Sequence, residues 1–183
     1  MAYAMKISQD AFENMPYDSG MWLNAFNLES PTTPTDAEIV CTTTGDITIN
    51  CEAEYVDMAE DVNNLHGVFK EFQKLTGWTV TAEFTALEAT PAVLQMGFGA
   101  ADIVDGKVQP RNDVKLTDFK DRWWVAKTLG GKLLVAHLMN TLSTGGLSLS
   151  TSKDGKGNIG VTLTAFASLE NQDKAPVEFY IIT

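Results

Sequence analysis

Ile159-Gly160-Val161-Thr162-Leu163-Thr164-Ala165-Phe166-Ala167 places an apolar side chain at every odd position, against Gly160, Thr162, Thr164 and Phe166 at the even ones. A period of two is the side-chain period of a β-strand, so such a segment buries one face. The flanking residues repeat the pattern. Leu147, Leu149 and Thr151 interleave with Ser148 and Ser150, and Val177, Phe179 and Ile181 interleave with Glu178 and Tyr180. The connections Ser143-Thr144-Gly145-Gly146 and Lys153-Asp154-Gly155-Lys156-Gly157 are rich in residues that tolerate positive φ. Lys132 to Met139 is apolar on both faces, as expected of a central strand. The last third of the chain therefore specifies antiparallel sheets built to pack.

Further upstream the same reading predicts more strands. Gly20 to Leu28 reads as a short strand with Trp22, Phe26 and Leu28 on one side, followed by the proline-punctuated loop 30–35. A hairpin is expected next, with Glu38 to Thr44 turning at Gly45-Asp46 into Ile47 to Val56. Its second strand is two-faced, with Ile47, Ile49, Cys51, Ala53 and Tyr55 against Thr48, Asn50, Glu52 and Glu54. Gly77 to Leu87 sets Trp78, Val80, Ala82, Phe84 and Ala86 against Thr79, Thr81, Glu83 and Thr85. One helix is predicted over about 90–98, with Thr90 as N-cap, Pro91 at the first helical position and Gly99 as the stop. Between two strands lies a long excursion, 57–76, acidic at its start and basic at its end. Asn63-Asn64 and Gly67 limit it to one short helix near Phe69 to Leu75. Asp102 to Gln109 reads as a turn and a short strand, Arg111 to Arg122 as a polar loop, and Trp123-Trp124-Val125-Ala126 as the next strand's start.

At 183 residues the chain is one domain (20–183) preceded by an arm (1–19) that orders only against a partner. No apolar run approaches the roughly 20 residues that cross a bilayer, and the first residues lack the apolar core of a secretory signal. Synthesis and assembly in a cytoplasm, without membrane binding, are expected. Charge is uneven. Residues 1–69 hold twelve Asp or Glu and one basic residue, Lys6, whereas residues 70–183 hold twelve of each sign, so the net charge of −11 arises in the first part. Such a chain offers no basic footprint for DNA, although solubility alone also favours an acidic surface. Cys41 and Cys51 flank Gly45-Asp46. A turn centred on Asp46 sets them opposite one another and permits a disulfide, while a reducing compartment favours two half-buried thiols.

Catalytic patterns are absent. His137 lies in the most apolar strand and reads as a hydrogen-bonded core or interface residue, and His66 lies in the long loop. No serine sits in a nucleophile-elbow context. Gly155-Lys156-Gly157-Asn158-Ile159-Gly160 matches a dinucleotide fingerprint as a string, but a strand follows where a helix is required, so it reads as a hairpin turn. Asp57-Met58-Ala59-Glu60-Asp61 lacks the spacing of a calcium loop, and Glu52 and Glu54 read as a solvated face rather than a glycosidase dyad. An enzyme is not expected, nor a cofactor or a metal. A β-sandwich adhesion or carbohydrate-binding module is an alternative reading; it would usually display a row of exposed aromatics, whereas Trp22, Trp78, Trp123 and Trp124 alternate with polar positions as core residues do.

Several segments taken in order carry a family resemblance. They are Gly20-Met21-Trp22-Leu23-Asn24-Ala25-Phe26, Thr44-Gly45-Asp46-Ile47, Tyr55-Val56-Asp57-Met58-Ala59-Glu60-Asp61, Lys70-Glu71-Phe72-Gln73-Lys74-Leu75-Thr76-Gly77-Trp78, Pro110-Arg111-Asn112-Asp113, Asp118-Phe119-Lys120-Asp121-Arg122-Trp123-Trp124-Val125, and Pro176-Val177-Glu178-Phe179-Tyr180-Ile181. Together they resemble the major tail tube proteins of long-tailed siphophages, from about Gly20 to the C-terminus. The resemblance implies a mainly β protein, a β-sandwich with one flanking helix. It further implies hexameric rings that stack into a tube conducting double-stranded DNA, in a virion. Tape-measure, tail terminator and tip proteins are the implied partners. A tube protein of a contractile tail or secretion machine is the related alternative. On this reading Thr48, Asn50, Glu52 and Glu54, with Glu83 from a neighbouring strand, are the expected lumen lining. Asp57, Glu60, Asp61, Lys70 and Lys74 are the expected ring-stacking residues of the long loop.

Overall fold

A computed structural model describes residues 8–153 and 155–183. Eleven strands and one α-helix follow one another along the described chain. The strands are β1 (Met21–Leu23), β2 (Ile39–Cys41), β3 (Thr43–Asp57), β4 (Gln73–Ala86), β5 (Ala101–Val104), β6 (Lys107–Pro110), β7 (Lys120–Lys127), β8 (Leu133–Ser143), β9 (Ser148–Ser150), β10 (Asn158–Ala165) and β11 (Val177–Ile182). The helix α1 (Pro91–Phe98) lies between β4 and β5. The architecture is a mainly β, antiparallel sandwich with a single flanking helix. One sheet runs β2-β1-β7-β8-β11 and the other β3-β4-β10-β9.

The sheets join at a corner on β8. Its first part lies between β7 and β11, and its last residues, Leu142 and Ser143, pair with Thr164 and Leu163 of β10. The register jumps there: Lys120 faces Thr141 while Arg122 faces Leu138, so β8 carries one extra residue, a β-bulge that bends it from one sheet into the other. Asn140 sits at the bend with φ of 49°. Its N–H donates to the Asp121 carboxylate at 2.9 Å and its amide to the Phe166 carbonyl at 3.1 Å. The Thr141 hydroxyl closes the corner by donating to the Lys120 carbonyl at 2.6 Å.

The core lies between the sheets, where Trp22, Ala136 and Leu138 meet Val80, Ala82, Phe84, Ile159, Val161 and Leu163. The predicted alternation of β4 and β10 is what builds it. A second cluster covers the outer face of the first sheet, where the returning loop 24–38 lays Phe26 and Leu28 over Leu23, Val125, Val135, Trp123 and Tyr180. The helix matches its predicted bounds. Thr90 accepts from the Val93 N–H at 3.3 Å, Pro91 opens the first turn and Gly99, with φ of 76°, ends it. Val93 is buried, and the Ser143 hydroxyl donates to the Gly97 carbonyl at 2.9 Å, seating α1 over the β8–β10 corner.

Four expectations need correction. The hairpin turning at Gly45-Asp46 does not form, because β2 pairs with β1 and β3 pairs with β4. The chain crosses between sheets at Thr42, and Gly45 (φ 71°) sits inside β3 where its register shifts. Cys41 and Cys51 therefore belong to different sheets and are free thiols. The first strand stops at Leu23, since the Asn24 N–H turns to the Glu38 carbonyl at 2.7 Å, and Phe26 and Leu28 join the outer cluster rather than Trp22's side. The short helix near Phe69 to Leu75 is only a 3-10 turn, Lys70–Phe72, because Gln73 to Leu75 already pair with Asp57 to Tyr55. Finally, residues 102–109 contribute two strands, β5 and β6, joined at Asp105-Gly106 with φ of 51° and 76°.

Part of the arm finds its partner within the chain. Tyr17 donates to the Lys127 carbonyl at 3.0 Å, Leu129 to the Met15 carbonyl at 2.9 Å, and Gly130 to the Glu13 carbonyl at 3.0 Å. Residues 1–7 of the arm lie outside the described residues.

Candidate functional site

The outward face of the second sheet is made by the even residues of β3 and the odd residues of β4. Inward residues of β3 such as Ile47, Ile49, Cys51 and Ala53 are partly buried, while Thr48, Asn50, Glu52 and Glu54 are exposed, as their alternation predicts. Glu83 of β4 is exposed beside them and lies directly across from Thr48. The pairing register separates the carboxylates. Glu52 faces Thr79 and Glu54 faces Gly77, so no two acids are cross-strand partners and like-charge repulsion is relieved. Hydrogen bonds hold the acids in place: the Asn50 amide donates to Glu52 at 2.9 Å and the Thr79 hydroxyl to Glu54 at 2.5 Å. Toward β10 the face continues with Thr162 and Thr164, the latter sharing a 2.6 Å hydroxyl contact with Thr144. Strands β3, β9 and β10 contain no Lys or Arg, and β4 only Lys74 at its far end. The structure thus brings together all five residues expected on one polar, acidic surface.

Beyond the core, β3 and β4 run on as a hairpin. Thr76 is bulged out where the register shifts between Glu54 and Tyr55, and its hydroxyl donates to the Glu54 carbonyl at 3.0 Å. The loop is closed by the Met58 N–H on the Phe72 carbonyl at 2.9 Å, and the Asp57 carboxylate accepts from the Ala59 N–H at 2.9 Å. Ala59 is buried, but Tyr55, Met58, Val62, Val68, Phe69, Phe72, Leu75 and Trp78 are all exposed, Val68 to 80%. Glu60, Asp61, Lys70 and Lys74 are exposed on the same projection, while Asp57 is half-buried at its base. Among the described residues Lys70 pairs only with its neighbour Glu71, at 3.7 Å, and both side chains are largely in solvent, where such a pair contributes little. Trp78 is therefore not a core residue, contrary to its alternation. It occupies an inward position, but the strand has run past the facing sheet.

The C-terminal strand departs from expectation in a similar way. Val177 packs against the core, yet Phe179 and Ile181 are 54% and 66% exposed, and it is Tyr180 and Ile182 on the other face that are covered. The predicted alternation of β11 holds, with the more apolar face left open. β11 pairs only with β8 and β3 only with β4, so among the described residues each has one unpaired edge.

His137 is accounted for by packing, as its place in β8 predicts. Its ring stacks on its cross-strand partner Trp123, with centroids 3.8 Å apart and planes within 4°, and its Nε2 lies 3.1 Å from the Asp121 carboxylate. Gly155 and Gly157 lie in the turn between the paired strands β9 and β10, not before a helix. One feature escapes sequence reasoning altogether: a cavity of about 400 Å³ between α1, the loop 111–118 and the start of β7.

No protein-family model matches the chain, and no curated protein matches it. Among solved structures, a chain of the "Virion of native gene transfer agent (GTA) particle" is similar at 10% identity, covering 88% of this chain and 95% of that one, with a TM-score of 0.44. No function is transferred from a likeness this remote.

Proposed function

We propose that this chain is a structural virion protein whose hexameric rings stack into a phage tail tube that conducts double-stranded DNA. The observation that carries the reading is the outward face of the second sheet, acidic, hydroxyl-rich and, short of Lys74 at the far end of β4, free of cations among its described strands. DNA binding strength rests on Lys and Arg displacing counterions from phosphates, so a wall without them lets a duplex slide past. Thr48, Asn50, Glu52, Glu54 and Glu83 line the lumen on this proposal.

The other features support assembly. Unpaired edges on β3 and β11 are liabilities in an isolated subunit and become joints when copies close into a ring. The hairpin beyond Glu54 exposes apolar side chains that a lone soluble domain has reason to cover. Asp57, Glu60, Asp61, Lys70 and Lys74 accompany them and meet the adjacent ring, with opposite charges available from either end of the loop. The ordered series of motifs shared with siphophage tail tube proteins points the same way. Tape-measure, terminator and tip proteins are the partners of such a tube, which is assembled in the host cytoplasm and carried in the virion. No chemical step is assigned to the chain.

Negative-stain microscopy of the purified full-length protein over a range of concentrations tests this. Rings or tubes are expected. A monodisperse monomer at every concentration and salt condition contradicts the proposal.

A further inference from the structure

The cavity of about 400 Å³ beneath α1 is lined by four cationic side chains, Arg111, Lys115, Lys120 and Arg122, and two acidic ones, Asp102 and Asp118. Its charges are not evenly matched. Arg111 is matched by carboxylates: its Nη2 donates to both Asp118 oxygens at 2.6 and 2.8 Å, and its Nε, which makes no hydrogen bond, still lies 3.0 Å from Asp102. Lys115 shares Asp102 at 3.5 Å. Arg122 has no such partner. Its Nη1 donates to the neutral Asn24 amide oxygen at 2.5 Å, its Nε is shut away from solvent with no hydrogen-bond partner, and among the described residues no carboxylate forms an ion pair with it. The neighbouring carboxylate, Asp121, is turned the other way, to His137 and the Asn140 N–H.

A half-buried guanidinium held only by the neutral Asn24 amide and Asp121 carbonyl oxygens loses hydration without gaining an ion pair. Burial accordingly pulls the Arg122 pKa below its ordinary value. The fork geometry of guanidinium suits a carboxylate or phosphate, and a cavity of a few hundred cubic ångströms is of the size that holds a small organic molecule.

We propose that this cavity is a binding site for a small oxyanion, a carboxylated or phosphorylated molecule, with Arg122 as its principal charge partner and Lys120 as a second. The site stands whether or not copies of the chain stack. It is separate from the acidic face, and its occupant would brace α1 against β7 and the β8 corner.

Isothermal titration of the full-length protein with succinate and, separately, inorganic phosphate tests the site, at ionic strength held constant with sodium chloride. Saturable binding of at least one probe is expected, and the stronger of the two identifies the ligand class. Arg122→Gln, which retains a side-chain amide near Asn24, is expected to weaken it by about tenfold or more, the loss of charge-assisted hydrogen bonding. Should that variant not fold, Ala92→Glu provides the second reading. Ala92 is an exposed helical residue on the cavity wall, and a carboxylate placed there is expected to abolish the response. Absence of saturable binding by both probes, or binding unchanged in Arg122→Gln or in Ala92→Glu, overturns the proposal.

Discussion

The indole of Trp22 in β1 and the ring of Phe84 in β4 meet across the interior, with centroids 5.1 Å apart and planes inclined by 31°. Trp22 is fully buried and Phe84 nearly so, and each belongs to a different sheet, so this contact ties the two layers together. Phe84→Ala is expected to cost about 3–5 kcal/mol in urea unfolding, and Trp22→Ala a similar amount. Because the rings touch, the double variant should fall short of the sum by about 0.5–1.5 kcal/mol. Strict additivity would show that the sheets are held by other contacts.

The corner of β8 gives a second prediction. Asn140 combines a left-handed backbone with a side-chain hydrogen bond to the Phe166 carbonyl that no apolar residue reproduces, while its bond to Asp121 comes from the backbone N–H. Asn140→Ala should lose about 1–3 kcal/mol of stability, from strain and from the orphaned Phe166 carbonyl. Asn140→Gly should recover the backbone part alone. Equal losses in the two variants, measured by chemical denaturation, would exclude backbone strain as a contributor.

Acid sensitivity is expected at Asp118. Burial pushes its carboxyl pKa up, but the Lys115 N–H at 2.8 Å and the Arg111 guanidinium outweigh that and hold it below the ordinary 3.8. A lowered folded pKa means that the unfolded chain takes up the proton first. The contribution is therefore complete above the ordinary value and is lost as pH falls through the folded one. Thermal melts from about pH 6 down to about pH 2.5 should show the wild-type midpoint falling most steeply below about pH 4. Asp118→Asn should start lower at neutral pH and fall less. A parallel pair of curves would contradict this assignment.

The projecting hairpin should matter to assembly and not to folding. Only Ala59 of the loop is buried, so removing residues 60–69 leaves the core untouched. Soluble subunits with unchanged circular dichroism that no longer polymerise are expected. Polymers of normal length from this variant would refute a stacking role for the loop.

What could be read from the sequence was what is local. Thr90, Pro91 and Gly99 mark the helix within ten residues, and the face Thr48-Asn50-Glu52-Glu54 follows from alternation alone. Pairing partners are not local, and alternation does not choose them. Gly45-Asp46 has the chemistry of a turn, but β2 pairs with β1, where Cys41 faces Trp22, and β3 pairs with β4, where Cys51 faces Val80, so the two strands lie in opposite sheets. Alternation in β11 shows that two faces exist, not which one is covered: Phe179 faces the side the second sheet does not reach, and Tyr180 the side that loop 24–38 covers. Trp78 fails for the same reason. Arg122 was hidden because charge along a polar segment does not reveal which cation lacks an anion once the chain has folded.

The central claim is that the acidic face looks inward on a channel built from identical copies. A three-dimensional reconstruction of the assembled protein by electron cryomicroscopy tests it most directly. Thr48, Asn50, Glu52, Glu54 and Glu83 are predicted to line an axial channel wide enough for a duplex. Glu52 and Glu54 on the outer surface of the assembly, or buried between its subunits, would contradict the account.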